Sequence, residues 1–510
     1  MKLSARIPKP RTRDSLALLT DFYEITMAYA YWKSGMSTRE AVFHVTFRTP
    51  PFESGYTVAA GLADIISFLA HLRFTDEDLA YLAALRGGHG MPLFDAAFID
   101  HLRGMEFACD VDAMPEGTLV FPHEPLLRVC GPIDQAQIIE TTLLNTLNFQ
   151  TLVATKAARI CSAAGDDPVI EFGLRRAQGV DGGLAATRAA FIGGCDATSN
   201  VLAGHLFDIP VKGTHAHSWV MAFADEPSAF QAFADAMPDT CILLVDTYDT
   251  LEDVRKAVRV GRRLRAQGHE LAGIRLDSGD LAYLSTEARR ILDEGGFPGA
   301  AIVASNELDE HVISSLKQQG APINVWGVGT RLVTAHDQPA LGGVYKLSAV
   351  RETGAADWDY RLKLSEQAAK ISIPGVLNVR RFRHDHAFIA DMIFNESAHP
   401  PADEACEIVD PANDLRRKTI PAGARGEDLL VPIFRQGRRV YDVPSLAASR
   451  ERTREQLRLL HAGHKRLLHP HEYPAGLESG LHDMRARLVR EARERPRARA
   501  SPVFEDPRQR

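Results

Sequence analysis

The chain has no uninterrupted apolar run of about 18 residues, the length a membrane-spanning helix requires, and so it reads as soluble. Cysteine is sparse: six in 510 residues, at 109, 130, 161, 195, 241 and 406, with no Cys-x-x-Cys pair. That scatter excludes a disulfide framework and a thiolate zinc site, and predicts reduced thiols in apolar surroundings. Net positive charge is also lacking, with 59 Lys and Arg against 66 Asp and Glu. Without a global basic field the sequence predicts no nucleic-acid partner, and an anionic substrate has to be held by local Arg and Lys clusters. The N-terminal MKLSARIPKPRTRDS does not lead into a secretory apolar stretch, because acidic residues arrive within LALLTDFYE. A cytoplasmic location is expected, with no membrane partner.

What is present is an ordinary globular composition, 45% hydrophobic and 25% charged. The chain is long enough for two domains, since single cores stop growing near roughly 250–300 residues. Residues 1–15 read as a flexible arm. Asp21 and Glu24 have the spacing of a capping box, opening a helix through Tyr31 and Trp32 that ends near Gly35. In AVFHVTFR, Phe43, Val45 and Phe47 alternate with His44, Thr46 and Arg48, the pattern of a half-buried strand. Helical patterns over 61–86 and short strands near 105–112 and 117–130 make 16–132 a mixed α+β domain, after which a long helical pattern covers 133–164.

Between 168 and 330 six apolar runs recur: PVIEFG, DIPVKG, CILLVDT, AGIRLDSG, AAIVASNE and INVWGVGT. Their continuous apolar character predicts buried parallel strands of βαβ units within 133–345. Each run ends in polar or glycine residues: Arg175 and Arg176, His215 and His217, Asp246 and Asp249, Arg275 to Asp280, Ser305 to Glu307, and Gly327 to Arg331. Polar groups at six strand ends favour an α/β barrel, whose loops converge on one rim, over an open doubly wound sheet. Residues 346–447 are expected to return onto the α+β domain, and the Arg-rich 448–510 to form a helical extension with a frayed tail.

The rim motifs carry the chemistry. In VKGTHAHSWV, His215 and His217 allow a metal pair, a group-accepting nucleophile, or two imidazoles satisfied in a turn. The later runs supply no further histidines to complete a metal site, so no metal ligand is assigned by direct motif. Asp246 in LLVDTYDT offers a carboxylate that could orient an imidazole or cap the following helix. GIRLDSGDL places Arg275, a fork for carboxylate or phosphate, beside Asp277, Ser278 and Gly279, with Asp277 suited to ribose hydroxyls or a metal-bound phosphate. WGVGTRL sets Gly327 and Gly329 before Thr330 at a predicted helix start, a backbone cradle for phosphate or merely a tight turn. Arg175 and Arg176 add charge, so the ligand should be strongly anionic.

LLTDFYEITMAYAYWKSG, FHVTFRTPPFESGYTVAAGL, EFGLRRAQGVDGG, GGCDATSNVLAG, KGTHAHSWV, LLVDTYDTL, RLDSGDL, GVGTRLVT and LGGVYKLSAV follow in order over about residues 18–350, with HPHEYPAGL later. In this the chain resembles the nicotinate phosphoribosyltransferase family of type II phosphoribosyltransferases. The resemblance implies an irregular TIM-like α/β barrel, with an α+β domain built from N- and C-terminal segments, in a homodimer whose sites are shared. It implies that nicotinate and 5-phosphoribosyl 1-diphosphate give nicotinate mononucleotide and diphosphate, with Mg2+ as cofactor and ATP as co-substrate. It also implies that His217 is phosphorylated and that His215 is a neighbour without a chemical role. By the same resemblance Tyr23 and Thr214 lie near nicotinate, Tyr23 in the partner's site; Arg275 meets the carboxylate, and Thr330 the phosphoribosyl diphosphate. Phe172 and Arg175 match ring-stacking and phosphate-gripping positions. Alternatives are a nicotinamide-using enzyme, since Asp196 is expected near the ring site and an acceptor suits an amide, an inactive scaffold paralogue, and a metal hydrolase on the same barrel.

Overall fold

Six short strands line up in one parallel sheet in a computed structural model that describes residues 15–367, 370–398, 400 and 404–494. They are β1 (Val169–Glu171), β2 (Ala197–Thr198), β3 (Ile242–Leu244), β4 (Gly273–Leu276), β5 (Ala301–Ala304) and β6 (Val325–Val328). Their spatial order is β2-β1-β6-β5-β4-β3, with every neighbouring pair parallel. The strand residues are mostly buried, which is why their sequences run apolar without alternation. The helices Thr250–Ala266, Leu281–Glu294 and Glu310–Gln318 each begin on an aspartate: Asp249, Asp280 and Asp309 accept backbone N–H groups of the first turn. The cap after β3 is therefore Asp249, which leaves Asp246 for another role.

DIPVKG forms no ladder strand, contrary to its apolar pattern. The strand here is Ala197–Thr198, and the 208–213 segment touches it through one parallel bridge, Thr198 to Val211. Thr198 N–H donates to the Pro210 carbonyl at 3.0 Å and Lys212 N–H to the Thr198 carbonyl at 2.9 Å. Pro210 has no N–H with which to extend the pairing. Among the described residues no ladder joins this segment to β3, so the curled wall has one seam.

Two further sheets complete the chain. A seven-stranded antiparallel sheet is built around Glu40–Thr46, which lies between Leu127–Pro132 and Val344–Arg351. This strand is buried from Ala41 to Val45, not half-buried as its alternation suggests. His44 is tolerated inside because Nε2 accepts the Leu377 N–H at 3.1 Å and Nδ1 meets Ser348 Oγ at 3.0 Å. Burial, with the Arg128 charge adding to it, holds this imidazole well below its usual pKa. The third sheet, of six strands, contains Leu377–His384, Ala387–Asn395 and Cys406–Val409. Its interior strand Ala475–Glu478 comes from the region expected as a helical extension. The helix Leu446–Leu459 from that region packs on the barrel helix Gly179–Gly193. The expected arm lies outside the described residues except for Ser15, as does the tail from 495.

Two helix expectations are corrected. The long helical pattern is two helices, Ile133–Ile138 and Glu140–Ala164, parted at Ile139. The Asp21/Glu24 capping box is not made: Asp21 makes no side-chain cap. Glu24 turns inward to accept from Thr20 and, at 2.7 Å, from Thr141 Oγ1. Burial, opposed by that Thr141 bond and reinforced by Glu140 and Asp21, pushes the Glu24 carboxyl up to about 8.

The long helix is pinned to the barrel by buried charge. Lys156 Nζ and Arg159 Nε lie 2.9 Å and 2.8 Å from the two carboxylate oxygens of Glu310, with all three side chains 3% exposed or less. Burial alone would raise the Glu310 pKa, but the two cations outweigh it and hold it below the usual carboxylate range. Glu310→Gln would leave Arg159 without its carboxylate and Lys156 with only Asp337, 3.4 Å away, and is expected to cost about 3 kcal/mol in a denaturant titration. Because the folded-state pKa is depressed, the triad's stabilisation is full above the ordinary glutamate range. It is lost as pH falls through the folded value, and the variant should lack that acid-side loss. No helix among the described residues is long and apolar enough to cross a membrane.

Candidate active site

The C-terminal ends of the six strands form the rim, and two polar assemblies meet there. Asp246, just past β3, has a side chain only 1% exposed. Its Oδ1 lies 3.2 Å from His217 Nε2, while Oδ2 accepts the Asp277 N–H at 2.9 Å and the Ser278 hydroxyl at 2.7 Å. The carboxylate is thereby fixed by the β4 loop and holds one imidazole nitrogen. His217 begins the short helix His217–Met221 and keeps 41% of its side chain exposed, so its Nδ1 edge remains available.

The second assembly centres on Arg275, the third residue of β4. Nε donates to Ser305 Oγ at 2.8 Å, Nη1 to Thr214 Oγ1 at 3.1 Å and Nη2 to Asp277 Oδ1 at 2.8 Å. Ser305 also donates to Asp277 Oδ1. These three bonds engage three of five donor hydrogens, leaving a planar cation with donors to spare. The guanidinium carbon lies 5.5 Å from the Phe172 ring centroid. Sequence reasoning placed Ser305 on the rim without a role; its partner Arg275 is one strand away and invisible to local spacing.

Phe172 is itself positioned from below. Buried Glu171 accepts from the Gly173 N–H, from Thr187 Oγ1 at 2.9 Å and from Thr198 Oγ1 at 2.7 Å, tying the β1 exit to β2 and its helix. The one signal for this residue was a carboxylate inside the apolar run PVIEFG. Gly327 lies in β6, not in the expected cradle, and supports the ring: a Cβ there would sit 2.7 Å from two ring carbons of Phe172. Gly327→Ala is therefore expected to displace the ring and raise the KM for a stacked aromatic substrate by about tenfold, with kcat less affected. Gly329 alone makes the turn before Thr330, which opens the four-residue helix Thr330–Val333.

Gly279 takes a φ of 79° that favours glycine, and with Ser278 it lies exposed at the β4 exit. Arg175 and Arg176 are exposed on the turn Leu174–Arg176 after β1. Tyr23 is not brought to this rim: it lies on the helix Phe22–Lys33 of the α+β part, 47% exposed. Burial, then the charges of Glu140, Glu24 and Asp21, push its phenol up to about 12. Asp196 is likewise absent, correcting its expected place near the ring site. It precedes β2 at the opposite end of the barrel, where it accepts the Val169 N–H at 2.9 Å and pairs with Arg450 and Arg454.

The histidines do not form a metal pair. His215 Nε2 accepts the Leu244 N–H at 3.2 Å, while His217 Nε2 faces Asp246. Among the described residues no group of three or more His, Cys, Asp and Glu is arranged to hold a metal ion. The donor set instead suits Mg2+ arriving on a polyphosphate, which needs only one or two carboxylates and keeps its waters. Asp277 has Oδ1 engaged by Arg275 and Ser305, which leaves Oδ2 as a carboxylate oxygen that fits such an ion.

A curled parallel sheet with an oriented histidine and an arginine–aromatic pair on its rim has the α/β-barrel architecture of the type II phosphoribosyltransferase class. Residues 18–148, 169–356 and 378–485 match, in turn, the N-terminal domain, the family region and the C-terminal domain of nicotinate phosphoribosyltransferase (NAPRTase). The chain belongs to the nicotinate phosphoribosyltransferase family. It is 43% identical to the Bacillus subtilis nicotinate phosphoribosyltransferase over 94% of this chain and 98% of that one. The crystal structure of human nicotinic acid phosphoribosyltransferase superposes with a TM-score of 0.80 at 33% identity, covering 92% of this chain and 99% of that one. A nicotinate-nucleotide pyrophosphorylase structure from Pyrococcus furiosus, 22% identical over 89% of this chain and 98% of that one, shares the fold with a TM-score of 0.65.

Proposed function

We propose that the chain transfers the phosphoribosyl group of 5-phosphoribosyl 1-diphosphate to nicotinate, giving nicotinate mononucleotide and diphosphate in NAD salvage. The observation that supports this reading best is Arg275 held by Thr214, Ser305 and Asp277 with its guanidinium carbon 5.5 Å from the Phe172 ring centroid. A guanidinium with unspent donors next to an aromatic face matches a planar ring bearing a carboxylate. Asp196, the acceptor expected to favour an amide, lies at the far end of the barrel and not at the ring site.

In this reading Phe172 stacks the pyridine and Arg275 anchors its carboxylate, so that the ring nitrogen faces ribose C1. The nitrogen lone pair forms the new N–C bond as the C1–O bond breaks, and diphosphate leaves with that electron pair. The ribose becomes cation-like in between, and Asp277 is the carboxylate that would hold its hydroxyls. Mg2+, met by Asp277, supplies charge neutralisation on the diphosphate when bound. Arg175, the turn at Gly329 and Thr330 meet the phosphates.

ATP coupling runs through His217. With Nε2–H held by Asp246, the Nδ1 lone pair attacks the γ-phosphorus, the bond to the bridging β–γ oxygen breaks, and ADP leaves; water later takes the phosphoryl group to phosphate. A phosphohistidine beside Thr214 and Arg275 adds charged oxygens that bias substrate affinity.

The reading includes a cytoplasmic head-to-tail homodimer, in which Tyr23 completes the partner's site. Two exposed apolar patches support it. One is Val201, Leu202 and Leu206 with Val211, between 49% and 70% exposed beside the rim. The other is Leu16, Leu19 and Phe22, between 38% and 55% exposed, next to Tyr23. The deciding experiment incubates the protein with ring-labelled nicotinate or nicotinamide, 5-phosphoribosyl 1-diphosphate, Mg2+ and ATP. Mononucleotide from nicotinate alone is expected; turnover of neither ring would overturn the reading, and turnover of nicotinamide alone would replace it.

A further inference from the structure

Among the described residues the barrel wall has no ladder where 210–212 would meet β3, and across that seam the His215 side chain reaches the strand backbone. His215 follows the bridge at Val211 by four residues and is 8% exposed. Its ring packs edge-on against Phe233, with centroids 4.8 Å apart, and tilts 6.3 Å from Phe230, both on the helix Glu226–Ala236. From that slot Nε2 accepts the Leu244 N–H at 3.2 Å. Leu244 pairs with Arg275 of β4 on its other side, so its N–H belongs to the open edge of the sheet. An edge amide buried without a partner would be costly, and the imidazole supplies the acceptor a seventh strand would have offered.

The bond also fixes the ring's protonation. An imidazole that accepts at Nε2 carries its proton on Nδ1, which here faces the Ala216 carbonyl at 3.4 Å. Burial, partly countered by that carbonyl and joined by the Arg275 and His217 charges, holds the ring below its ordinary pKa and keeps it an acceptor near neutrality. Its neighbours are what the site needs in register. Thr214 receives Arg275 Nη1 at 3.1 Å, and His217 meets Asp246 at 3.2 Å. Residues 214–217 thus touch β3, Asp246 just beyond it, and β4 at one point each, and of these only the His215 contact reaches the strand backbone.

We propose that His215 is a positioning residue that bolts the 214–217 segment to β3 across the barrel seam, setting Thr214 against Arg275 and His217 against Asp246. This deepens the reading of the rim as a nicotinate site with a phosphorylated histidine and rests on it. The alternative is that His215 merely fills the slot against Phe233, in which case any ring of similar size would serve.

Three full-length proteins separate these: wild type, His215→Phe, which keeps a ring and removes the acceptor, and His215→Gln, whose Oε1 occupies the place of Nε2. Hydrogen exchange is followed on the peptide spanning 242–245, alongside kcat, KM for nicotinate, labelling of His217 by γ-labelled ATP, and the thermal midpoint. In His215→Phe the Leu244 amide is expected to exchange at least tenfold faster, with labelling and kcat/KM each about tenfold lower. His215→Gln should recover Leu244 protection and come within about threefold of wild type in labelling and kcat/KM. Wild-type kinetics in His215→Phe would overturn the proposal, as would a Gln variant that regains protection but stays as slow as Phe. If His215→Phe fails to fold, His215→Asn, too short to reach Leu244, takes its place under the same criteria. A wild-type protein that neither turns over nicotinate nor takes label would sink the functional reading instead, and the exchange comparison would still judge the seam.

Discussion

His217→Ala is expected to take up no label from γ-labelled ATP, while wild type forms an acid-labile, base-stable phosphoryl adduct. The companion variant Asp246→Asn should label on the order of 100-fold more slowly, for a reason the geometry supplies. Asp246 accepts from three directions: His217 Nε2, the Asp277 N–H and the Ser278 hydroxyl. An asparagine has one acceptor oxygen, and its NH2 must face either the imidazole or the β4 loop. If it faces the imidazole, Nε2 becomes the acceptor and the proton moves to Nδ1, removing the nucleophilic lone pair; if it faces the loop, Asp277 and Ser278 lose their acceptor. Either way the buried charge that stabilises the phosphorylated ring is lost. Nicotinate turnover without ATP should survive in His217→Ala, because the rim around Arg275 is untouched. Labelling that persists in His217→Ala would relocate or remove the coupling step.

Arg275→Gln is expected to lower kcat/KM for nicotinate by roughly 1,000-fold, since a site built around a charged acceptor loses the partner that desolvates with it. Nicotinamide gives the opposite control. A glutamine amide can both donate to and accept from a carboxamide, so the variant should lose little or gain with the neutral ring. Arg275→Lys tests the fork itself: the charge stays, but one ammonium cannot bind Thr214, Ser305 and Asp277 in one plane, and an intermediate loss of roughly 30-fold is expected. Because Asp277 loses its cation in the Gln variant, a thermal melt accompanies the kinetics. Parallel losses for both rings would show a general collapse of the rim rather than loss of carboxylate recognition.

The barrel was legible because its strands are buried on both faces, and five of the six apolar runs are strands for that reason. DIPVKG misled because Ile209 is buried by packing alone and Pro210 cannot donate. The real strand, the two residues Ala197–Thr198, is too short to leave a pattern. At the site, His217 with Asp246 and Arg275 with Asp277 stood in motifs and are joined in space. Ser305, Glu171 and the service of His215 to Leu244 were not legible, since Ser305 and Glu171 serve partners on other elements 16 or more residues away and His215 serves a backbone amide that no motif marks. Asp196 failed for a simpler reason: residues just before a strand and just after it lie at opposite ends of a barrel, and a linear reading of GGCDATSN does not separate them.

The interior place of Ala475–Glu478 has a consequence for how the chain is made. This strand lies between Cys406–Val409 and Ala387–Asn395, running parallel to the second and antiparallel to the first. A ribosome delivers residues in order, so for the time taken to translate some 65 residues beyond Val409 both flanking edges stand without their common neighbour, at about 5–20 residues per second. Open edges are where strands of another chain add on. The barrel and its rim are synthesised before this point, so catalytic machinery and vulnerability to misassembly belong to different moments in the birth of the same molecule.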